Sequence, residues 1–397
     1  MGPSQPSLPI EIIDHIFKGL YSSDFEGLKN CSSVCRLFLR LSRLYLFRTV
    51  SITLREDGIN ATPDPSSSSP YATFLSFLAS DAHLASNIRK LLIQNARSSS
   101  SLQERRWRKT ASLLADLRPK LTSVSQLSLH SAYIYDWTLE DDDLRVVLVD
   151  LWKLATIQDL QLHYITLSRK DLLDLVRIPK LTLFGVRVIQ AYPPVSPAGN
   201  SNADTVVLRN LCVVLRNPEV AAGVYDIVLA ASKALQSLKW LASPYHNAQD
   251  MCLSIIDLQT FSSLTSLSLT HPLDGDRPLL DLARLFTRNT GESSLKVVEI
   301  LCDYATDSEE SSLLTASSIW QTLDQTFVST AYSALEKIVI GVKEQKGVGQ
   351  SSRTSSGWKD ICLQQTLSLF QRNLSLCHSK GLVVSNTEMA GAKTTEN

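Results

Sequence analysis

The chain has 397 residues, of which 44% are hydrophobic and 20% are charged. This profile is typical of a folded soluble protein and excludes an intrinsically disordered chain, and the length exceeds that of one ordinary compact domain. Lysine plus arginine and aspartate plus glutamate both number 39, so the formal net charge is zero. A neutral chain offers no general electrostatic attraction for nucleic acid, and we predict no nucleic-acid partner.

The first predicted elements lie between Leu8 and Val50. Pro9 stands where a helix can begin, and Glu11 faces the positive end of that helix dipole. Apolar residues then recur at helical spacing, at Ile12, Ile13, Ile16, Phe17 and Leu20. A short segment this rich in large apolar side chains cannot bury all of them internally. It therefore either packs on the rest of the chain or presents an exposed apolar patch, and such patches mark interaction sites.

Residues 1–50 resemble an F-box, the helical module that docks a protein onto the Skp adaptor of SCF ubiquitin ligases. The matching pieces are Leu8-Pro9-x-Glu11, the Ile12/Ile16 spacing, Asp24 followed by Leu28, Val34-Cys35-Arg36-x-Phe38, and Leu46-Phe47-Arg48. The family usually has a tryptophan in the closing triplet, where this chain has Phe47. The resemblance implies three helices, a Skp-type adaptor as the partner and, through it, cullin.

The resemblance also implies which side chains touch the adaptor. These contact residues are Leu8, Pro9, Ile12, Ile16, Val34, Cys35 and Phe38. Leu28 and Leu46, by contrast, are expected to hold the module's own helices together. The residues leave open an alternative, in which the segment is a helical cap on a larger domain and happens to begin with Leu-Pro.

Beyond this module, residues 50–54 alternate apolar and polar side chains and predict a short strand. Residues 57–70 are rich in proline and serine and predict a flexible loop, and residues 71–79 predict a helix.

A unit then recurs that has apolar residues at positions i, i+3 and i+5. Its members are Ile88/Leu91/Ile93, Val124/Leu127/Leu129, Ile157/Leu160/Leu162, Ile178/Leu181/Leu183, Leu235/Leu238/Trp240, Leu264/Leu267/Leu269, Leu295/Val298/Ile300 and Leu335/Ile338/Ile340. Helix-like runs occupy the gaps, at 102–117, 144–154, 171–176, 279–286 and 313–327. A repeated strand and helix predicts an α/β fold in which short parallel strands alternate with helices.

The repeats resemble the irregular leucine-rich repeats found behind F-boxes in fungal proteins. That resemblance implies a solenoid over residues 51–342, interrupted by loops near 57–70 and 192–205. Most units lack the Asn or Cys that follows the third apolar position in the family, and Cys302 alone fits. The residues leave open a compact α/β domain with a conventional sheet.

The C-terminal part divides into three predicted segments. Residues 343–357 are rich in Gly, Ser and Lys and predict a flexible linker. Residues 358–383 are amphipathic and predict a helix that caps the solenoid, with Gly381 as its C-cap glycine. Residues 384–397 are polar and predict a disordered tail.

Two charge clusters have a structural and a functional interpretation. The basic run Arg105–Lys109 favours the solvated first turns of a helix over a nuclear-localisation or nucleic-acid patch. The acidic run Glu140–Asp143 favours a helix start, where carboxylates are stabilised, over a ligand for a basic degron.

Several chemical classes find no support in the sequence. The seven cysteines include no C-x-x-C pair, and Cys31 and Cys35 are four apart, which favours one helix face over a metal clip. No nucleotide-binding or hydrolase motif occurs, so we predict no catalytic residues, metal or cofactor. No apolar run approaches eighteen residues and no signal pattern opens the chain, so we predict no membrane partner and a cytoplasmic or nuclear location.

The two resemblances together imply a substrate-recognition subunit of an SCF-type E3 ubiquitin ligase, which binds the adaptor through the F-box and a protein substrate through the repeats. The alternative is a leucine-rich-repeat scaffold with no role in ubiquitination. In a scaffold the first fifty residues would pack on the solenoid, so the burial of Ile12, Ile16 and Phe38 distinguishes the two.

Overall fold

The computed structural model describes residues 8–54, 70–95, 111–136, 142–189, 206–215, 218–242, 253, 256–272, 276–289, 291–304, 317–344 and 372–385. The chain divides into two compact units, Met1–Ile165 and Thr166–Asn397. Both units combine helices with parallel strands, so the predicted α/β class is confirmed.

The first unit begins with three helices, α1 (Ile10–Ser23), α2 (Phe25–Cys31) and α3 (Arg36–Leu46). The carbonyl of Pro9 accepts the first helical hydrogen bonds of α1, from the amides of Ile12 and Ile13. Asp24 separates α1 from α2, because its amide closes α1 while its carboxylate accepts from the Gly27 amide at 2.8 Å. Cys31 ends α2 and Cys35 precedes α3, so the prediction that both cysteines share one helix face is wrong.

The rest of this unit alternates strands and helices. In chain order these are β1 (Thr49–Leu54), α4 (Pro70–Ser80), α5 (Ala82–Ser86), β2 (Lys90–Asn95), α6 (111–117), β3 (Gln126–Asp136), α7 (Asp142–Trp152) and β4 (Asp159–Ser168). Strands β1, β2 and β3 are parallel neighbours, with Val50 opposite Leu91 and Leu91 opposite Leu127. Helix α7 starts inside the acidic run, which confirms the predicted helix start there.

The second unit continues the alternation. Its elements are α8 (Arg169–Asp174), β5 (Lys180–Phe184), β6 (Arg187–Ile189), β7 (Asn210–Leu215), α9 (Pro218–Ala231), β8 (Ser237–Ala242), β9 (Ser266–Pro272), α10 (Asp276–Thr287), β10 (Val297–Tyr304), α11 (Ser317–Phe327), β11 (Lys337–Glu344), α12 (Ser375–Ser379) and β12 (Val383–Ser385). The strands run in the order β5-β7-β8-β9-β10-β11-β12, all parallel, and β6 pairs with the last residues of β4.

The apolar repeat predicted the strands well. Each of the eight units coincides with a strand, and all of its three positions are buried. Strand neighbours match apolar residue to apolar residue, as Leu238 opposite Leu267 and Val298 opposite Ile338 illustrate. Fully burying one such side chain stabilises a fold by about 1.5–3 kcal/mol, so these ladders supply the main core of each unit.

A second regularity lies in the backbone at the start of most strands. The carbonyl of Arg48 accepts from the amides of both Arg89 and Lys90, at 2.9 and 3.0 Å. The same paired acceptance recurs at one carbonyl after another in the described residues, at Arg89, Ser125, Val176, Pro179, Arg209, Gln236, Thr265 and Lys296. Strands β2, β3, β4 and β7–β11 therefore begin with the same local hydrogen-bond geometry.

Other parts of the chain differ from the predictions. Strand β7 and helix α9 lie in the long gap between the fourth and fifth apolar units, where no strand or helix was predicted. The predicted helix over 358–383 is wrong at its C-terminal end, because α12 stops at Ser379 and β12 pairs with β11. The predicted tail therefore begins inside a strand. The predicted loop over 57–70 and the predicted linker over 343–357 are each wrong at one end, because Pro70 opens α4 and β11 continues to Glu344. The remaining residues of that loop and that linker lie outside the described residues, as do the loop over 192–205, the basic run and residues 386–397.

Gly381 has the role that its position predicted. Its φ is 69°, its amide donates to the His378 carbonyl, and the next amide, of Leu382, donates to the Cys377 carbonyl. These two bonds form a Schellman motif, which requires a left-handed residue and therefore favours glycine. The turn ends α12 and directs the chain into β12.

Candidate docking surface

The three N-terminal helices have a small core of their own. Its buried members are Ile13, Phe17, Leu28, Leu41 and Tyr45, and partly buried side chains, Leu46 among them, pack around it. A hydrogen bond of 2.8 Å from the Tyr45 hydroxyl to the Asp14 carboxylate links α3 to α1. Leu28 and Leu46 thus lie where the resemblance implied, within the helices' own packing.

Several large apolar side chains of these helices remain outside that core. Ile12 and Ile16 are 48% and 47% exposed, and they lie one turn apart on the same face of α1. Leu8 and Val34 are 62% and 66% exposed, and Pro9 and Cys35 are exposed as well. Six of the seven predicted contact residues are therefore open to a partner. We call the exposed apolar residues between Leu8 and Leu37 the docking surface.

Phe38 differs from the other six. It is only partly exposed, and its ring packs edge-on against Phe17 with ring centroids 5.2 Å apart. Edge-to-face aromatic pairs of this kind stabilise a core. The structure therefore places Phe38 in the packing that supports the docking surface.

The motif comparison missed three exposed residues of the docking surface. Ile10 is 52% exposed, Phe25 44% and Leu37 42%. Ile10 and Leu37 occupy the variable positions inside Leu8-Pro9-x-Glu11 and Arg36-x-Phe38, which a motif match passes over. Helical phase would not have identified them, because Ile10 lies three residues before Ile13 and Leu37 four residues before Leu41, spacings that place them near the buried faces of α1 and α3. Both lie in the first turn of their helix, and only the structure shows that they are exposed.

The exposed apolar residues are concentrated in this part of the chain. Thirteen large apolar side chains of the described residues are exposed, and seven of them lie between Leu8 and Leu37. Single exposed apolar residues are ordinary on protein surfaces, whereas a concentration of them marks an interaction site. Chemically, such a surface can bind the apolar face of another protein.

A second candidate surface is the polar strand face, by which we mean the strand positions that alternate with the buried apolar ones. In the second unit its side chains include a partly exposed apolar row, Phe184, Val214 and Leu241, which lie opposite one another on β5, β7 and β8. Beside it on the same face, the Ser268 hydroxyl donates to the Glu299 carboxylate at 2.6 Å. Mixed apolar and charged side chains of this kind suit a protein or peptide ligand.

Two histidines and one cysteine of the strands have shifted pKa values. His130 and His163 stack with ring centroids 3.9 Å apart, and burial lowers the pKa of both, that of His163 to about 4. Burial raises the pKa of the Cys212 thiol, which makes it a poorer nucleophile at neutral pH. The described residues contain no group of three or more metal-ligating side chains.

No helix within the described ranges combines the length and apolar character needed to cross a membrane. No protein-family model matches the sequence, and a search of curated proteins found no significant match.

Proposed function

We propose that this chain is a substrate-recognition subunit of an SCF-type E3 ubiquitin ligase. Residues 8–50 act as an F-box that binds a Skp-type adaptor and, through it, cullin. The strand–helix units act as an irregular leucine-rich-repeat solenoid that binds a protein substrate. Catalysis belongs to the ubiquitin-conjugating partners, and this chain supplies geometry.

The observation that carries the proposal is the exposure of Ile12 and Ile16 beside a complete helical core. The core of Ile13 and Phe17 already holds α1 in place, so the neighbouring isoleucines do not stabilise the module where they are. Burying an isoleucine contributes about 1.5–3 kcal/mol, and that contribution becomes available only when a partner covers it.

The same observation disfavours the scaffold alternative. A scaffold would use the first fifty residues as a cap, and Ile12 and Ile16 would then be buried by the chain's own side chains. Within the described residues nearly half of each isoleucine remains open, and only Phe38 is mostly covered.

The solenoid part of the proposal is supported by two regularities. Each apolar unit buries all three of its positions, and successive strands share the paired carbonyl acceptance that starts at Arg48. Repeating units that contact mainly their sequence neighbours are the defining feature of solenoids. The polar strand face, with its row of Phe184, Val214 and Leu241, is the surface we assign to the substrate.

The test is co-expression of the full chain with a Skp adaptor, followed by affinity purification and size-exclusion chromatography. We expect a one-to-one complex for the wild type and loss of the complex for Ile12→Asp, because a charge then replaces an apolar anchor. Position 12 is the third residue of α1, where a carboxylate suits the helix dipole, so the substitution spares the fold.

The matched control is Val207→Asp, which charges an apolar side chain of similar exposure, 42%, outside the helical module. This variant should co-purify with the adaptor as the wild type does. The double variant Leu8→Ala with Pro9→Ala should also lose the complex. An Ile12→Asp chain that is folded by circular dichroism and still binds at the wild-type level would contradict the proposal.

A further inference from the structure

Helix α3 presents a stripe of arginines on one face. Arg36, Arg40 and Arg43 are spaced by four and three residues, so they line up along the helix on the side opposite Leu41 and Tyr45. Arg36 and Arg40 are exposed, and Arg43 is partly exposed. We call these three side chains the arginine stripe.

The stripe has no acidic residue near it in the sequence and forms no ion pair within the described residues. No aspartate or glutamate occurs between Glu26 and Glu56 in the sequence. Within the described residues none of the three guanidinium groups forms an ion pair or a hydrogen bond, whereas other helical arginines do, as Arg169 and Asp226 at 2.6 Å show. Like charges four residues apart destabilise a helix, so the three arginines repel one another, and no described carboxylate forms an ion pair with them.

The stripe adjoins the docking surface. Val34 and Leu37, two of its exposed apolar residues, flank Arg36 in sequence, and Leu37 lies in the first turn of the same helix. Apolar contact area and fixed positive charge therefore occur side by side at the start of α3. A partner that covers the exposed apolar side chains at this point would also contact the arginine stripe.

We propose that the arginine stripe is the electrostatic part of the docking surface, and that the partner presents an acidic segment with carboxylates spaced to meet Arg36, Arg40 and Arg43. This inference rests on the proposed function, and it specifies the surface chemistry of the adaptor. The stripe steers the acidic partner toward the module and aligns it before the apolar side chains make contact.

The chemistry around the stripe favours a protein over a nucleic acid. Val34 and Leu37 offer apolar area that a phosphate backbone does not use. Nucleic-acid surfaces pair basic residues with exposed aromatic rings on which bases stack. The aromatic residues of α3, Phe38 and Tyr45, are turned into the core and are unsuited to that role.

The inference predicts a particular kinetic signature. Charges near a binding surface act on the association rate, and salt screens them over a Debye length of about 8 Å at physiological ionic strength. To test this, the full chain is immobilised and the rate at which a Skp adaptor associates with it is measured at about 50 and 300 mM salt. For the wild type we expect association to slow at least several-fold at the higher salt.

The test variant is Arg36→Glu with Arg40→Glu and Arg43→Glu in one chain. We expect its association rate at low salt to fall by about tenfold or more and its salt dependence to disappear or invert. The matched control carries Arg209→Glu, Lys233→Glu and Arg288→Glu, exposed cations of the second unit, so its net charge changes equally. The control should keep the wild-type kinetics.

The outcomes separate this inference from the function on which it rests. If the wild type binds and the stripe variant associates as fast, with the same salt dependence, the inference is overturned and the proposed function stands. A folded wild type that does not bind overturns both. If the stripe, but not the control, is needed to retain a fluorescent DNA or RNA oligonucleotide, the stripe belongs to a nucleic-acid site and the inference also falls.

Discussion

Gly27 lies inside α2, where a glycine ordinarily weakens a helix by about 1 kcal/mol. The sequence alone shows only this cost. In the structure Gly27 is the residue whose amide donates to the capping carboxylate of Asp24, and a Cβ there would overlap that carboxylate. The glycine therefore allows the cap to close. Gly19 in α1 is the opposite case, since no atom lies within 4 Å of where its Cβ would be.

The two glycines should respond differently to alanine. Gly19→Ala should stabilise the module by up to about 1 kcal/mol, because it adds helix propensity without a clash. Gly27→Ala should give no gain or lose up to about 1 kcal/mol, because the Asp24 cap must move. Amide hydrogen exchange of peptides from residues 8–50 measures both changes. Equal stabilisation by the two substitutions would contradict this account.

Tyr45 couples two helices through its hydroxyl, and this coupling depends on pH. Burial, followed by the hydrogen bond to the Asp14 carboxylate, raises the pKa of Tyr45 to about 12. In an unfolded chain a tyrosine titrates near pH 10. Because the folded value is the higher one, this contribution is complete below about pH 10 and is lost as pH rises toward about 12.

Tyr45→Phe should therefore lower the free energy of unfolding by about 1 kcal/mol at neutral pH. Between about pH 10 and 12 the variant should lose less stability than the wild type does. Urea denaturation at a series of pH values measures both effects. Burial also raises the pKa of Tyr332 to about 12, so an alkaline loss remains in the variant. Parallel curves for the two proteins over the alkaline range would show that Tyr45 does not contribute.

At the scale of elements, a single carboxylate holds the C-terminal helix. Asp324 of α11 is buried, and its two oxygens accept from the amides of Leu376 and Cys377 at 3.0 and 2.8 Å. An α-helix leaves its first amides without partners, so this carboxylate acts as a cap supplied by another helix. Burial, and then the Asp324 carboxylate, raise the pKa of the Cys377 thiol, and a raised pKa leaves less of the nucleophilic thiolate.

Asp324→Ala should release α12 and expose Cys377. The buried amide of Cys377 and the partly buried amide of Leu376 lose their acceptor, which costs about 2 kcal/mol. Asp324→Asn should have a smaller effect because its amide oxygen still accepts. The measurement is alkylation by iodoacetamide at pH 8, with the modified cysteines identified by mass spectrometry. Cys35 is exposed and serves as the internal control. Protection of Cys377 in the alanine variant would contradict the capping role.

The stacked histidines link two neighbouring strands. Burial lowers the pKa of His163 to about 4, with a further contribution from His130, and burial and then Lys90 lower the pKa of His130. The fold thus favours neutral rings, whereas an unfolded chain binds protons near pH 6.5. Because the folded values are the lower ones, this contribution to stability is complete above about pH 6.5 and is lost as pH drops toward about 4.

His163→Gln should reduce this acid sensitivity, since the glutamine stays neutral. Urea midpoints at pH 7 and pH 5 measure the difference for the wild type and the variant. His15→Gln is the control, because His15 is an exposed histidine of α1 and should leave the pH dependence unchanged. The interpretation fails if His163→Gln and the wild type lose the same stability on acidification.

At the scale of the whole molecule, two kinds of packing occur in different parts of the chain. The N-terminal helices close a core within residues 13–46, and the paired carbonyl acceptance that joins the strands begins at Arg48. Substitutions on the exposed face of α1 should therefore change that surface without disturbing the strands. This arrangement suits a protein that binds an adaptor with one part and a substrate with another, as we propose.

Much of the architecture follows from local sequence. Apolar residues at strand spacing predicted eight strands, because a strand that is buried on one face needs an apolar side chain at every second position. Asp142 marked the start of a helix and Gly381 marked the end of another, because each suits the backbone at that kind of helix end. Strand β7 was missed although Leu208, Leu211 and Val213 have the spacing of the unit and are all buried. These signals lie within a few residues of the element that they specify.

The docking surface required the tertiary structure. Ile12, Ile13, Ile16 and Phe17 are equally apolar in the sequence, and only packing against α2 and α3 decides that Ile13 and Phe17 are buried while Ile12 and Ile16 remain open. Likewise, zero net charge conceals the arginine stripe, whose significance depends on helical phase and on the distance to every carboxylate. Burial and charge pairing depend on residues far apart in the chain, and for that reason composition and periodicity do not determine them.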